Sequence, residues 1–122
     1  MLKTRIIPVL LYKDYTLVKG VGFHSWRRVG AAMQAIRVYE LRKVDELVFL
    51  DISATNEGRA TMLNMVERVA LTLNIPFTVG GGISSVGSAG EVLNAGADKV
   101  AVNSAALKDP LLVTALSDKF GK

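Results

Sequence analysis

The chain has 122 residues and a mass of 13.1 kDa, which is enough for one domain with its own core. Half of it is hydrophobic and 21% is charged, so it is not a disordered chain, and no apolar run approaches the ~18 residues that a membrane span needs. It has no cysteine and one histidine, His24, which excludes disulfides and thiolate or multi-histidine metal sites.

The net charge of +4 is unevenly distributed along the chain. Residues 1–43 hold nine Lys and Arg against two acidic residues, whereas residues 44–122 hold six against nine. A basic first third favours an anionic ligand, and nucleic acid is disfavoured because aromatic residues are few and no stacking motif occurs. No small-residue cleavage site follows the apolar run near the amino terminus, so we interpret that run as a strand and expect a cytoplasmic protein without membrane contact.

Four short apolar runs rich in β-branched residues predict strands. They are continuous rather than alternating, as in parallel strands covered on both faces. The predicted strands are Arg5–Leu11, Glu46–Ile52, Phe77–Val79 and Lys99–Val102.

A helical pattern follows each predicted strand. The first predicted helix is separated from its strand by a long loop, Tyr12–Arg28, and the last starts with an N-cap and proline at Asp109-Pro110 and stops at Gly121. Alternation of strand and helix four times predicts a single α/β domain, (βα)₄, over residues 1–122. The other predicted helices are Val29–Lys43, Gly58–Leu73 and Ser85–Ala95.

Two architectures fit four βα units: an open doubly wound sheet, or half of an eight-fold barrel with parallel strands and helices outside. A complete (βα)₈ barrel needs about 250 residues. A half-barrel leaves two bare sheet edges and an exposed inner face, which favours a homo-oligomer, either a dimer or a tetramer.

In both architectures ligands bind at the carboxyl ends of the strands. Gly80-Gly81-Gly82 stands between a strand and a helix, where glycines let the backbone approach a phosphate and the helix start supplies N–H groups. Asn103 and Ser104 follow the fourth strand and could complete a phosphate cup. A tight turn for the glycines and a helix cap for Asn103-Ser104 are equally compatible with the pattern.

Charged residues near the strand ends are further candidates. Asp51 ends the second strand, where it could act as an acid/base group, orient a ligand, cap a helix or form a salt bridge. Lys19 in the long loop could hold a phosphate, polarise a reacting group or be a solvated lysine. Arg5, Glu46 and Lys99 open three strands and predict a charge cluster at the barrel bottom, unless each is an ordinary polar strand start. The sequence suggests no cofactor and no metal.

The sequence resembles the N-terminal half of the cyclase subunit of imidazole glycerol phosphate synthase, a histidine-pathway (βα)₈ barrel. The resemblance covers nearly the whole chain without gaps. It is carried by Arg5-Ile-Ile-Pro8, Val18-Lys-Gly20, Asp45-Glu-Leu-Val-Phe-Leu-Asp-Ile52, Glu57-Gly-Arg59, Thr61-Met-Leu63, Val66-Glu-Arg-Val-Ala70, Thr78-Val-Gly-Gly-Gly-Ile83 and Leu93-Asn-Ala-Gly-Ala-Asp-Lys-Val100.

The resemblance implies roles for several of these candidates. It implies that Gly82, Asn103 and Ser104 form one of two phosphate sites and that Lys19 helps to bind and turn over the substrate. It also implies that Arg5, Glu46 and Lys99 are three of four members of a charged gate. Through this gate a glutaminase subunit delivers ammonia.

Departures from the family pattern leave the activity open. Leu11 stands where the family has a catalytic aspartate, and Gly30-Ala31-Ala32 stands where it usually has Gly-Asp-Pro; Gly22 replaces an asparagine. Three readings follow. The first is a self-associating, phosphate-binding half-barrel with little cyclase activity alone. The second is a fragment of a cyclase-like protein that amidates a surface-polysaccharide sugar with a glutaminase partner. The third is a standalone flavodoxin-like (βα)₄ binding protein.

Overall fold

The computed structural model describes residues 3–13, 16–21, 25–52 and 56–121. These residues form one mixed sheet with helices packed against it. The strands are β1 (Val9–Lys13), β2 (Thr16–Val21), β3 (Ser25–Ala31), β4 (Leu47–Asp51), β5 (Phe77–Gly80) and β6 (Lys99–Ala101). The helices are α1 (Ala32–Leu41), α2 (Asn56–Thr72), α3 (Val86–Ala95), α4 (Ser104–Lys108) and α5 (Leu111–Phe120).

The order of the parallel strands identifies the architecture. Strands β1, β4, β5 and β6 are parallel and lie side by side in the order of the chain. A flavodoxin-like sheet instead places its second strand on the outer side of the first. The standalone flavodoxin-like reading is therefore wrong, and the half of a (βα)₈ barrel predicted from the sequence is confirmed.

The segment predicted as a long loop forms an antiparallel hairpin, β2–β3, which adds two strands to the sheet beside β1. Its strands pair from Thr16 opposite Ala31 to Val21 opposite Ser25, with a bulge between Leu17 and Val18. The hairpin continues the ladder of β1 only at Tyr12 and Lys13. Residues 29–31, predicted as helix, are extended because they belong to this ladder, so α1 begins at Ala32.

Two other predicted boundaries differ for local reasons. The first strand begins at Val9 rather than Arg5, since Pro8 has no N–H to give to a ladder. A short helix, α4, follows β6 before the predicted last helix. Asp109 closes α4, and its carboxylate accepts the N–H of Leu111 at 3.2 Å where α5 begins.

Burial alternates along the parallel strands, contrary to the expectation that both faces are covered. Leu10, Tyr12, Leu47 and Phe49 are buried under the helices, whereas the residues between them are partly open. Four parallel strands cannot close on themselves, so the face that would line a barrel interior remains accessible. The buried face continues through Phe77, which packs edge-on against Phe49 with ring centroids 6.2 Å apart.

Helices α2, α3 and α5 supply most of the opposing core. Their buried residues are Met62, Met65, Val66, Val69, Ala89, Val92, Leu112 and Leu116. Within the described part of the chain, no helix is long and apolar enough to cross a membrane.

Candidate functional site

A pocket of about 440 Å³ lies at the carboxyl ends of β5 and β6. It combines the two segments that the sequence singled out, because neighbouring parallel strands end at the same edge of the sheet. Its polar lining comes from Gly81 and Gly82, here called the glycine loop, and from Asn103 and Ser104. Four of the predicted phosphate ligands therefore contribute to one concave surface, whereas Gly80 does not line it.

The two residues of the glycine loop have different surroundings and different structural roles. Both have positive φ, +95° at Gly81 and +69° at Gly82, which L side chains rarely adopt. A Cβ on Gly81 would overlap the carbonyl oxygen of Asp51 and lie 2.9 Å from the backbone nitrogen of Asp51. A Cβ on Gly82 would meet nothing within 4 Å. Gly81 therefore allows close packing against β4, whereas Gly82 leaves open space beside the pocket.

More of the backbone N–H groups at the start of α3 have partners within the protein than the sequence predicts. Ser85 and Ser88 form a capping box, in which the N–H of Ser88 donates to the Ser85 hydroxyl at 3.1 Å. The N–H groups of Ser84 and Ser85 donate to the Ser88 hydroxyl at 3.1 and 3.0 Å. These three N–H groups are thus engaged within the protein. An anion in the pocket depends mainly on the glycine loop and on the β6–α4 segment.

The β6–α4 segment presents polar groups to the pocket. Asn103 and Ser104 are exposed, and the Asn103 side chain makes no capping hydrogen bond to α4. Lys108 and Asp109, at the far end of α4, also line the pocket. Neither residue is among the sequence-predicted ligands, because their place at the pocket depends on α4, which the sequence pattern does not predict. The signal available in the sequence is the Lys-Asp pair at positions 108 and 109, which follows the strand end at Asn103 within one short connection.

Asp51 is the last residue of β4 and lies opposite Tyr12 in the ladder. It is half buried, its backbone packs against Gly81, and it does not line the pocket. One position earlier, Leu11 lies opposite Leu50, which does line the pocket. Leu11, where the resemblance implies a catalytic aspartate, thus lies on the strand next to a residue that lines the pocket.

The backbone of Lys19 lies in β2, opposite Arg27. The side chain of Lys19 and all of His24 lie outside what the structure describes. A role for Lys19 in binding therefore stays a prediction.

The opposite end of the sheet holds the predicted charge cluster, here called the amino-end cluster: Arg5, Glu46 and Lys99. Glu46 is buried, with 11% of its side chain exposed, while Arg5 and Lys99 are 58% and 59% exposed. The Arg5 guanidinium pairs with Oε2 of Glu46, and Lys99 Nζ lies 3.3 Å from Oε1. One buried carboxylate thus joins cations from beside β1 and from β6.

Two aspartates form matching hydrogen-bond pairs at the same end. The Asp45 carboxylate accepts the N–H of Ile6 at 2.6 Å, and its own N–H donates to the Ile6 carbonyl at 3.0 Å. Asp98 repeats this with Phe77, at 2.9 and 3.0 Å. These pairs, here called aspartate clamps, fix the register of β1 with β4 and of β5 with β6.

In residues 3–13, 16–21, 25–52 and 56–121, no three His, Cys, Asp or Glu side chains are grouped closely enough to hold a metal ion. The polar groups of the pocket are backbone, amide, hydroxyl and ammonium. The exception is the Asp109 carboxylate, which accepts a hydrogen bond from the N–H of Leu111 at the start of α5. This donor set suits an anion better than a cation.

Comparison with known proteins places this geometry in a family context. The family model described as "Histidine biosynthesis protein" matches residues 5–122. The chain is 54% identical over 121 residues to the imidazole glycerol phosphate synthase subunit HisF of Flavobacterium johnsoniae, 52% identical to that of Cytophaga hutchinsonii and 53% to that of Geobacillus thermodenitrificans. Each match covers 99% of this chain and 48% of the relative, so the chain spans about half the length of the curated relatives it matches.

Proposed function

The chain belongs to the histidine biosynthesis protein family, and from that membership we propose that it forms a cyclase-type half-barrel that binds a phosphorylated small molecule at the carboxyl ends of β5 and β6. The observation that supports this best is the meeting of Gly82, Asn103 and Ser104 in one pocket. Backbone, amide and hydroxyl groups of this kind coordinate phosphate oxygens without a metal.

Thermal stability in added phosphate tests the site. A ligand that binds only the folded state raises the melting temperature by mass action, so the midpoint should rise through millimolar phosphate. Gly82→Leu should abolish that rise by filling the open space beside the pocket. Gly121→Leu is the matched control for the phosphate-dependent rise, because Gly121 also has positive φ, +86°, with nothing within 4 Å of a Cβ, and it lines a different groove, between β6 and α5. If the melting temperature of the unaltered protein does not change with phosphate concentration, the site is refuted.

We propose further that the chain self-associates through β6 and the part of β1 that the hairpin does not pair with. Beyond β6 no further strand pairs in the described sheet, and a groove of about 610 Å³ runs between β6 and α5, lined by Val100, Val113 and Phe120 among others. On the other side, Val9 of β1 and Val38 and Leu41 of α1 are exposed. On that side of β1 the hairpin pairs only with Tyr12 and Lys13, so the stretch Val9–Leu11 is left for pairing with another strand. Two copies joined by β6 and this stretch of β1 in the parallel sense would close a ring of eight parallel strands, the number in a (βα)₈ barrel.

Sedimentation at micromolar concentration tests this assembly. We expect a dimer or tetramer, and Val113→Glu should dissociate it by placing a charge in the groove. Leu71→Glu should not, because Leu71 is 87% exposed at the end of α2, away from both edges. A monodisperse 13 kDa monomer of the unaltered chain would refute the proposal.

We propose that the chain alone has little cyclase activity. The resemblance places a proton-transferring aspartate at position 11, and a leucine has no proton to transfer. Asp51 lies on the neighbouring strand and packs against Gly81, which supports a structural or ligand-orienting role. The assay is ammonia-dependent turnover of the family's ribulosyl substrate. We expect background rates for the unaltered chain and a gain in Leu11→Asp. Turnover by the unaltered chain that is lost in Asp51→Asn would assign the chemistry to Asp51.

A glutaminase-type partner is proposed for the amino ends of the strands. The amino-end cluster lies there beside exposed Ile6 and Ile7, and Leu71 is exposed at the end of α2. An exposed apolar patch with charged residues at its rim is typical of a protein interface. Co-sedimentation with a glutaminase subunit from one of the relatives' organisms should succeed. It should be weakened by Ile6→Glu and unaffected by Leu107→Glu, which is also exposed.

A further inference from the structure

Among the described residues that line the carboxyl-end pocket, Lys108 is the only cation. It lies in the last turn of the short helix α4, which follows Asn103, so that both ends of this helix border the pocket. Within the described residues, neither a hydrogen bond nor an ion pair of the Lys108 side chain is found. The cations of the amino-end cluster differ, since both are paired with Glu46.

The remaining polar lining is almost neutral. Gly82, Asn103 and Ser104 offer N–H, amide and hydroxyl groups, and the one carboxylate, Asp109, accepts the N–H of Leu111. Neutral donors satisfy phosphate oxygens but leave the charge of a phosphate dianion uncompensated. A charge-assisted hydrogen bond from an ammonium group is about twice as strong as a neutral one.

We infer that Lys108 is a phosphate-recognition residue, whose ammonium group binds the dianion of a phosphomonoester held by the glycine loop and Asn103-Ser104. This inference rests on the proposed phosphate site. The pocket volume of about 440 Å³ falls in the range of sites for small organic molecules, so a phosphomonoester fits it better than free phosphate. Lys108 thus determines the preference for doubly charged ligands over neutral ones of the same shape.

The test is calorimetric titration with inorganic phosphate and with glycerol 3-phosphate. Lys108→Met keeps the length of the side chain and removes its charge. We expect a three- to tenfold rise in Kd for both ligands, between the value of an exposed ion pair and that of a charge-assisted hydrogen bond. Lys108→Arg should retain most of the affinity. Lys119→Met is the control, because Lys119 also lies in the last turn of a helix, α5, but outside the pocket.

The outcomes separate the two proposals. If the unaltered protein binds phosphate and Lys108→Met matches Lys119→Met, the role of Lys108 is refuted and the phosphate site stands. If the unaltered protein binds neither ligand, the phosphate site fails and Lys108 has no ligand to recognise. A loss in Lys108→Met that Lys108→Arg restores supports the inference. A tighter Kd for glycerol 3-phosphate than for phosphate supports the phosphomonoester.

Discussion

At the amino ends of the parallel strands the charged groups face one another, whereas at the carboxyl ends they face an open pocket. The amino end pairs Glu46 with two cations and holds the strand register with two aspartate clamps. The carboxyl end presents the glycine loop, an uncapped Asn103 side chain and Lys108 to the pocket. The first arrangement stabilises the fold and the second leaves binding groups available, the division expected for barrel proteins.

Gly81→Ala should have the largest effect on the free energy of unfolding. Gly81 is an exception to the division between the two ends, because it lies at the carboxyl end and yet stabilises the fold. Its Cβ would overlap the Asp51 carbonyl at a φ of +95°, so β4 or the loop must move, and we expect a loss of about 4 kcal/mol in the free energy of unfolding. Gly82→Ala, with open space around it, should cost about 1 kcal/mol. Urea denaturation measures both. Equal losses would show that the loop acts as one structural unit.

Removing both cations of the amino-end cluster should have the next largest effect. In Arg5→Met/Lys99→Met the carboxylate of Glu46 stays buried without a counter-charge, and we expect a loss of about 3 kcal/mol. The control is Lys3→Met/Lys119→Met, which removes two exposed cations with no ion pair among the described residues. The phosphate response should be unchanged in both. A double variant as stable as its control would mean that the cluster does not hold the fold.

Loss of an aspartate clamp should have the smallest effect, and the two clamps should differ. Asp98→Ala removes a part-buried acceptor from the Phe77 N–H and should cost about 1.5 kcal/mol. In Asp45→Ala water can replace the acceptor, because that hydrogen bond is exposed, and the cost should be about 0.5 kcal/mol. Asp118→Ala, in the exposed last turn of α5, serves as the control in the same denaturation series. The reverse order would show that exposure does not set the strength of the clamps.

Much of the sheet could be predicted because each parallel strand is an apolar run between polar turns. Leu47–Asp51 and Phe77–Gly80 fall within about one residue of the predicted strands. The hairpin β2–β3 was missed although residues 16–21 contain β-branched residues and Gly22 provides a turn signal. The length of this connection favours a loop, whereas its residue pattern favours strands. Backbone pairing across the hairpin also displaced the predicted start of α1.

The site was predictable in position but not in detail. Residues after neighbouring parallel strands must meet, so Gly82 and Asn103 were expected at one edge. The contribution of Lys108 depends on the fold of α4, five residues whose apolar pattern is too short to indicate a helix. The N–H groups at the start of α3 are likewise occupied because the Ser88 hydroxyl accepts hydrogen bonds from more than one of them. The spacing of residues in the sequence does not reveal this.

The aspartate clamps have a consequence for the order in which the chain folds. The Asp45–Ile6 clamp joins residues 39 apart in the chain, and the Asp98–Phe77 clamp joins residues 21 apart. Closing the shorter loop costs about 0.5 kcal/mol less conformational entropy, and local contacts form faster than distant ones. The β5–β6 pair should therefore form before β1 docks on β4. In pulsed hydrogen exchange during refolding, the amide of Phe77 would gain protection before that of Ile6.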